Sequence, residues 1–139
     1  MRKASIHELE LEPAWSDSDP TLRTSDGYLL HWQHGTTASS VVLFDVEPGC
    51  HIGRHRHTAE EVVLVLEGEV EVDVDGERAT LRAGEVGFAP AHVPHNVRCT
   101  SGERARCVGF FAAASVVSTY DDVVMPDETR MRGTPVPDD

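Results

Sequence analysis

Positive charge is scarce in this chain. Lys and Arg number 12 against 24 Asp and Glu, a formal charge of −12 with histidine neutral. A surface so acidic repels phosphate backbones and anionic lipid heads, which argues against nucleic acid or a membrane surface as partner. Cysteine is sparse as well: Cys50, Cys99 and Cys107 are odd in number and form no CxxC, so neither a disulfide framework nor a zinc knuckle is indicated. The longest uninterrupted aliphatic run, Val62 to Leu66, falls far short of the roughly 20 residues that a membrane helix needs. Met1-Arg2-Lys3, followed by His7-Glu8-Leu9-Glu10, offers no apolar leader, and a cytoplasmic protein is expected. A Ser/His/Asp nucleophile signature, a P-loop, GxGxxG and HExxH are all missing. So is a helical stripe, apart from Phe111 to Tyr120, whose alanines could equally end a strand.

What is present fits one soluble domain. At 139 residues, with 40% hydrophobic and 26% charged side chains, the chain is long enough to bury a real core without staples. Strand signals fill the middle: Tyr28 to His34, Val41 to Val46, Val62 to Glu67, Val86 to Ala89, His95 to Cys99 and Ala105 to Ala112. Val70, Val72 and Val74 alternate with Glu71 and Asp73, and Asp75-Gly76 supplies a two-residue hairpin back to Glu77 to Leu81. Short strands punctuated by Gly, Pro and Asp predict an all-β sandwich or barrel. The ends read differently. Residues 1–27 carry Ser-Asp-Pro turn signals and are expected to form an arm with room for one short strand, leaving 28–117 as the barrel. Residues 118–139, with Pro126, Pro135 and Pro137, are expected to form an irregular tail.

The chemistry is concentrated between Gly49 and Glu61. His55 and His57 are two apart in a strand-like context, so both imidazoles leave one face, with Cα atoms roughly 6–7 Å apart. Glu61 follows the bend at Thr58-Ala59 and can reach back to the same point, and His95 opens a later strand behind Pro94. Three imidazoles and a carboxylate inside a barrel make a mixed N/O site suited to one divalent transition metal: Fe, Mn, Ni, Cu or Zn. Without a cation, gathering four ionisable groups in a small barrel is costly.

These residues resemble the cupin superfamily. Its first motif, G-x5-HxH-x3-E-x6-G, is met by Gly49, His55, His57, Glu61 and Gly68, a spacing that selects Glu61 over Glu60. The second, G-x5-PxG-x2-H-x3-N, is met by Gly84, Pro90 and His95 but has His92 where glycine is usual and Cys99 where asparagine is usual. The resemblance implies a jelly-roll barrel (a double-stranded β-helix) and a family spread over dioxygenases, decarboxylases, isomerases and cyclases, together with binding modules. It also implies a role for Glu61 as proton shuttle. The expected function is oxygenation of a small organic substrate, the rivals being an O₂-independent cyclase or isomerase and a non-catalytic ligand-binding module. Two further residues are assigned to the substrate pocket. His51 shares parity with His55 and His57 unless Gly53 breaks the strand register, and Cys99 shares a strand face with His95, too far along it to bind the same ion, so that it lines the deeper pocket or the core. Tyr28 and Trp32 are expected on one strand face as core aromatics. Open edge strands, and pairing habits common among cupins, predict a homodimer.

Overall fold

The computed structural model describes residues 1–138. Twelve strands follow in chain order: β1 (Glu12–Trp15), β2 (Arg23–Leu30), β3 (Ser40–Val46), β4 (His55–His57), β5 (Glu61–Glu67), β6 (Glu69–Val74), β7 (Glu77–Arg82), β8 (Val86–Ala89), β9 (His95–Cys99), β10 (Ala105–Phe111), β11 (Val117–Val124) and β12 (Thr129–Gly133). One 3-10 turn, Trp32–His34, interrupts them, and there is no α-helix among the described residues. No helix is long and apolar enough to cross a membrane.

The strands form two antiparallel six-stranded sheets, β1-β2-β3-β10-β5-β8 and β12-β11-β4-β9-β6-β7, packed face to face as a jelly roll. Alternation dictates the packing. In β5, Glu61, Val63 and Val65 are buried, whereas Val62 faces out. In β9 the same parity buries His95, Val97 and Cys99. Val42, Phe44, Val46, Val63, Val65, Val70, Leu81, Val97, Cys107 and Phe111 meet between the sheets as one core. The hairpin at Asp75-Gly76 forms as its residues demand, with φ of 51° and 89° and the pair Val74↔Glu77 closing a two-residue loop.

The structure corrects the reading of both ends. At the N-terminal end β1 is the short strand the arm had room for, and the correction is that β2 also begins there, the two paired from Glu12↔Asp26 to Trp15↔Arg23. Pro13 is tolerated because β1 is an edge strand. The segment 117–133, read mostly as an irregular tail, carries β11 and β12; residue 139 lies outside the described residues. Pro126 sits in the link between these two strands and Pro135 and Pro137 beyond them, so the prolines bound strands instead of excluding them. A third correction concerns residues 31–34. The His31 ring accepts the Gln33 N–H and Gly35 closes the turn at φ 106°, which ends β2 at Leu30. Trp32 therefore leaves the strand face of Tyr28 and donates its indole N–H to the Pro135 carbonyl at 2.6 Å.

β11 is the main partner of β4, through Ser118↔His57, Thr119↔Arg56 and Tyr120↔His55, whereas β9 contributes one pair, His55↔His95. A chain cut to residues 28–117 is therefore expected to lose the cooperative thermal unfolding of the full chain. Circular-dichroism melts of the two would check this, and a sharp transition in the short chain would make the flanking strands dispensable.

Candidate metal centre

Three of the four chemically interesting side chains come from one sheet and the fourth from the other. His55 and His57 leave the same face of β4, His95 opens β9 beside them, and Glu61 opens β5 across the gap. All four are buried, between 2% and 6% exposed. The ring nitrogens of His55, His57 and His95 lie within 4.8 Å of one another, a group able to hold a metal ion. Glu61 Oε1 is 3.3 Å from His57 Nε2 and 3.5 Å from His95 Nε2.

Hydrogen bonding on the far side of each ring decides which nitrogen is free. His55 Nδ1 faces the Gly53 carbonyl at 2.6 Å and His95 Nδ1 the Val93 carbonyl at 3.0 Å. A carbonyl only accepts, so both rings carry their proton on Nδ1 and turn a bare Nε2 lone pair inward. His95 Nε2 is buried without a hydrogen-bond partner, and His55 Nε2 faces His57 Nε2 at 3.0 Å. His57 Nδ1 meets the Ser118 hydroxyl at 2.6 Å, a group that accepts as readily as it donates. Lone pairs converging in a buried gap are what a divalent cation satisfies, and partners behind each ring are the usual support of histidine ligands.

Electrostatics agree with the geometry. Burial, together with the neighbouring His95 and His57 rings, pushes the His55 pKa well below the usual imidazole value and keeps it neutral. Burial pushes Glu61 up, but the adjoining His57 ring, with His95 beside it, acts the other way and holds the carboxyl at about 2. Glu61 is therefore ionised. Its place depends on Gly109 in β10, where a Cβ would drive into the Glu61 carboxylate and come within 2.9 Å of Val42 Cγ1.

The site opens into a pocket of about 380 Å³ between the sheets. Val42, Phe44, Ile52, Phe111 and Met131 form its apolar walls, with Tyr28 and Tyr120 among them. The Tyr120 ring stacks on His55, with centroids 4.7 Å apart and planes within 16°. Arg132 on β12 pairs with both oxygens of Asp26 on β2 at 2.9 and 3.0 Å, tying the two sheets together beside the pocket. Ser118, Tyr120 and Arg132 escape a sequence reading that takes their segment for a tail; the signal that could have found them is the buried alternation of Ser118 and Tyr120 in β11.

Of the two pocket assignments one needs correction and the other resolves to the core. His51 does not line the pocket; Gly53, at φ 94°, breaks the strand register, and the ring turns to Asp19 and Asn96. Cys99 shares the inward face of His95, as parity requires, but four residues along the strand it has passed into the core beside Val70, 2% exposed. The His92 departure is accommodated. That residue takes the left-handed conformation glycine would favour, φ 67°, and its N–H donates to the His57 carbonyl at 2.7 Å.

Comparison with known proteins gives a consistent picture. The cupin-domain family profile matches residues 42–111. Polyketide synthase CurC of Streptomyces cyaneus is 40% identical over 75 residues, 53% of this chain and 49% of that protein. Quercetin 2,3-dioxygenase of Bacillus subtilis (strain 168) is 34% identical over 76 residues, 55% of this chain and 21% of that protein. The chain thus spans about half of the first relative's length and about a fifth of the second's. Among solved structures, the polyketide cyclase RemF from Streptomyces resistomycificus superposes with a TM-score of 0.66 at 19% identity, covering 100% of this chain and 89% of that one, which bears on the fold.

Gly109 supplies a direct check on the centre's construction. Its backbone is ordinary strand, so Gly109→Ala adds only the clash with Glu61 and Val42 and should cost about 1–3 kcal/mol. Gly102→Ala, with nothing within 4 Å of the new methyl, should stay within about 0.5 kcal/mol. Urea titrations of both variants read the difference, and equal losses would mean that Glu61 is not held where described.

Proposed function

The chain belongs to the cupin family, and on that footing we propose that it is a metal-dependent oxygenase of small organic substrates, with His55, His57, His95 and Glu61 holding one divalent transition ion. The observation that carries this reading is the convergence of buried, bare imidazole nitrogens beside an ionised carboxylate at the floor of an apolar pocket. Such an ion, drawn from Fe, Mn, Ni, Cu or Zn, supplies Lewis acidity and, where its valence changes, electron exchange with O₂.

The chain's own residues select and orient the substrate. Glu12, Asp26, Glu61 and Asp127 line the pocket against a single base, Arg132, whose guanidinium already pairs with Asp26. A pocket with that balance, in a chain of charge −12, disfavours anions and suits a neutral molecule. Phe44 and Phe111 offer flat apolar contact, which matches an aromatic or enolic ring. Burial pushes the Tyr120 phenol up to about 12 and Tyr28 higher still, so both stay protonated and can donate to a substrate oxygen. Glu61, ionised and buried, is placed to accept a proton from a substrate hydroxyl.

A second reading, metal-dependent cyclisation without O₂, is prompted by the fold shared with the polyketide cyclase RemF and by the 40% identity, over about half of this chain, with polyketide synthase CurC. Elemental analysis followed by an oxygen-electrode trace with polyphenol and 1,3-dicarbonyl probes separates the cases. One metal per chain is expected, with probe-dependent O₂ uptake that falls about 10²–10⁴-fold in Glu61→Gln. Turnover without O₂ uptake would establish the cyclase instead, and a metal-free chain without turnover would leave a ligand-binding module.

The same chain is proposed to work as a homodimer. Val41, Phe110, Val62 and Phe88 form a row across β3, β10, β5 and β8 on the outer sheet face, ending at the unpaired edge of β8. Phe88 is 60% exposed and Phe110 44%. An apolar row of this kind beside an open edge is a surface that a second copy covers. Light scattering should report twice the mass of one chain, and Phe88→Glu should halve it; a monomeric wild type would reject the dimer.

A further inference from the structure

His51 stands outside the pocket, yet segments that build the centre meet at its ring. Its Nε2 faces Asp19 Oδ2 at 2.9 Å. Asp19 is an ionised, acceptor-only carboxylate, since hydrogen bonds from Thr21 and from His51 hold it at about 2. The His51 proton therefore sits on Nε2, and Nδ1 is left as an acceptor. Two donors use it: the Gly53 N–H at 3.2 Å and Asn96 Nδ2 at 2.9 Å. The backbone of His51 is held as well, its N–H donating to Thr21 O at 2.9 Å and its carbonyl accepting from Arg23 N–H at 3.1 Å.

Each of these donors leads to a metal-site histidine. Gly53 has the carbonyl that accepts from His55 Nδ1 at 2.6 Å. It adopts φ 94°, and a Cβ there would come within 2.8 Å of Leu22 Cδ1, so its setting is unusual and has to be held. Asn96 directly follows His95 in β9. We infer that His51, anchored by Asp19, is a positioning residue that sets the His55 ring through Gly53 and the start of β9 through Asn96. The inference rests on the metal-centre reading above, because its consequence is a preformed set of Nε2 donors.

Two substitutions separate this role from simple tethering of the 16–23 segment. His51→Asn puts a carbonyl oxygen near the place of Nδ1 and keeps the acceptor for Gly53 while abandoning Asp19. His51→Gln reaches toward Asp19 and leaves the Gly53 N–H without a partner. In the metal-free protein, NMR should show a slowly exchanging His55 Nδ1–H in wild type and His51→Asn that is lost in His51→Gln. In Co²⁺ titrations followed by absorbance, His51→Asn should bind within about threefold of wild type, and His51→Gln about 10–100-fold more weakly. Asp19→Ala, at a side chain already 40% exposed, frees the His51 proton to move to Nδ1 and remove the acceptor that His51→Asn keeps; it should therefore weaken Co²⁺ binding as His51→Gln does, and it decides the matter if His51→Gln does not fold. Wild-type behaviour of His51→Gln, loss in both His51 variants, or an unchanged Asp19→Ala would overturn the positioning role. A wild type that takes no Co²⁺ would instead remove the metal reading, and the NMR comparison would still judge the positioning.

Discussion

Lone pairs on His55 and His95 that point into a buried gap are the constraint on which the rest of this barrel depends. Backbone carbonyls of Gly53 and Val93 take the Nδ1 protons, so nothing on the protein side is left for His95 Nε2. Removing such groups from water without a partner costs free energy, commonly about 1–3 kcal/mol for each. The fold accepts that penalty at its centre while surrounding it with Val and Phe side chains whose burial is favourable. Glu61 sharpens the demand for a cation, because its negative charge lies 3.5 Å from the bare Nε2 of His95. The arrangement is a receptor for a cation built in advance of the cation.

Holding that receptor together is a task shared by segments far apart in the chain. Strand β4 is three residues long and has little stability by itself. β11 clamps it on one side and supplies Ser118 behind His57. On the opposite sheet, the absent side chain of Gly109 makes room for Glu61, while Val42 and Val63 flank that glycine on the adjacent strands. The Asp26–Arg132 pair and the Trp32 bond to Pro135 then join the two chain ends across the sheets. Arm and tail are therefore structural parts of the site.

What could be read in advance was local. The HxH parity of His55 and His57, the hairpin at Asp75-Gly76 and the alternation of β6 depend on neighbours within a few residues, and the structure reproduces their strand geometry. Partners 61 and 106 residues away, such as Ser118 for His57 and Arg132 for Asp26, leave no mark at that range. His51 and Cys99 show the limits of parity. For His51 the rule fails because a glycine at φ 94° turns the chain before the strand begins. For Cys99 the face is right, but parity does not choose between pocket and core; its pairing with Val70 at the core end of β9 does. Proline was misread for a related reason: at an edge strand or between strands it removes no needed hydrogen bond, so its presence says little about whether a sheet continues.

Charge does what shape alone does not. Many pockets of this size admit oxyanions, and a bound divalent ion would by itself attract them. Here the pocket's one base is paired with Asp26, while Glu12 and Asp127 add negative charge to its lining. The field of a chain with 12 excess acidic groups acts in the same direction, drawing cations toward the histidines and turning anions away. On the proposed reading, selectivity for a neutral ring would need no dedicated recognition group. It would follow from aromatic walls, from two protonated phenols that can donate hydrogen bonds, and from a carboxylate able to take a proton only from a substrate that has one to give.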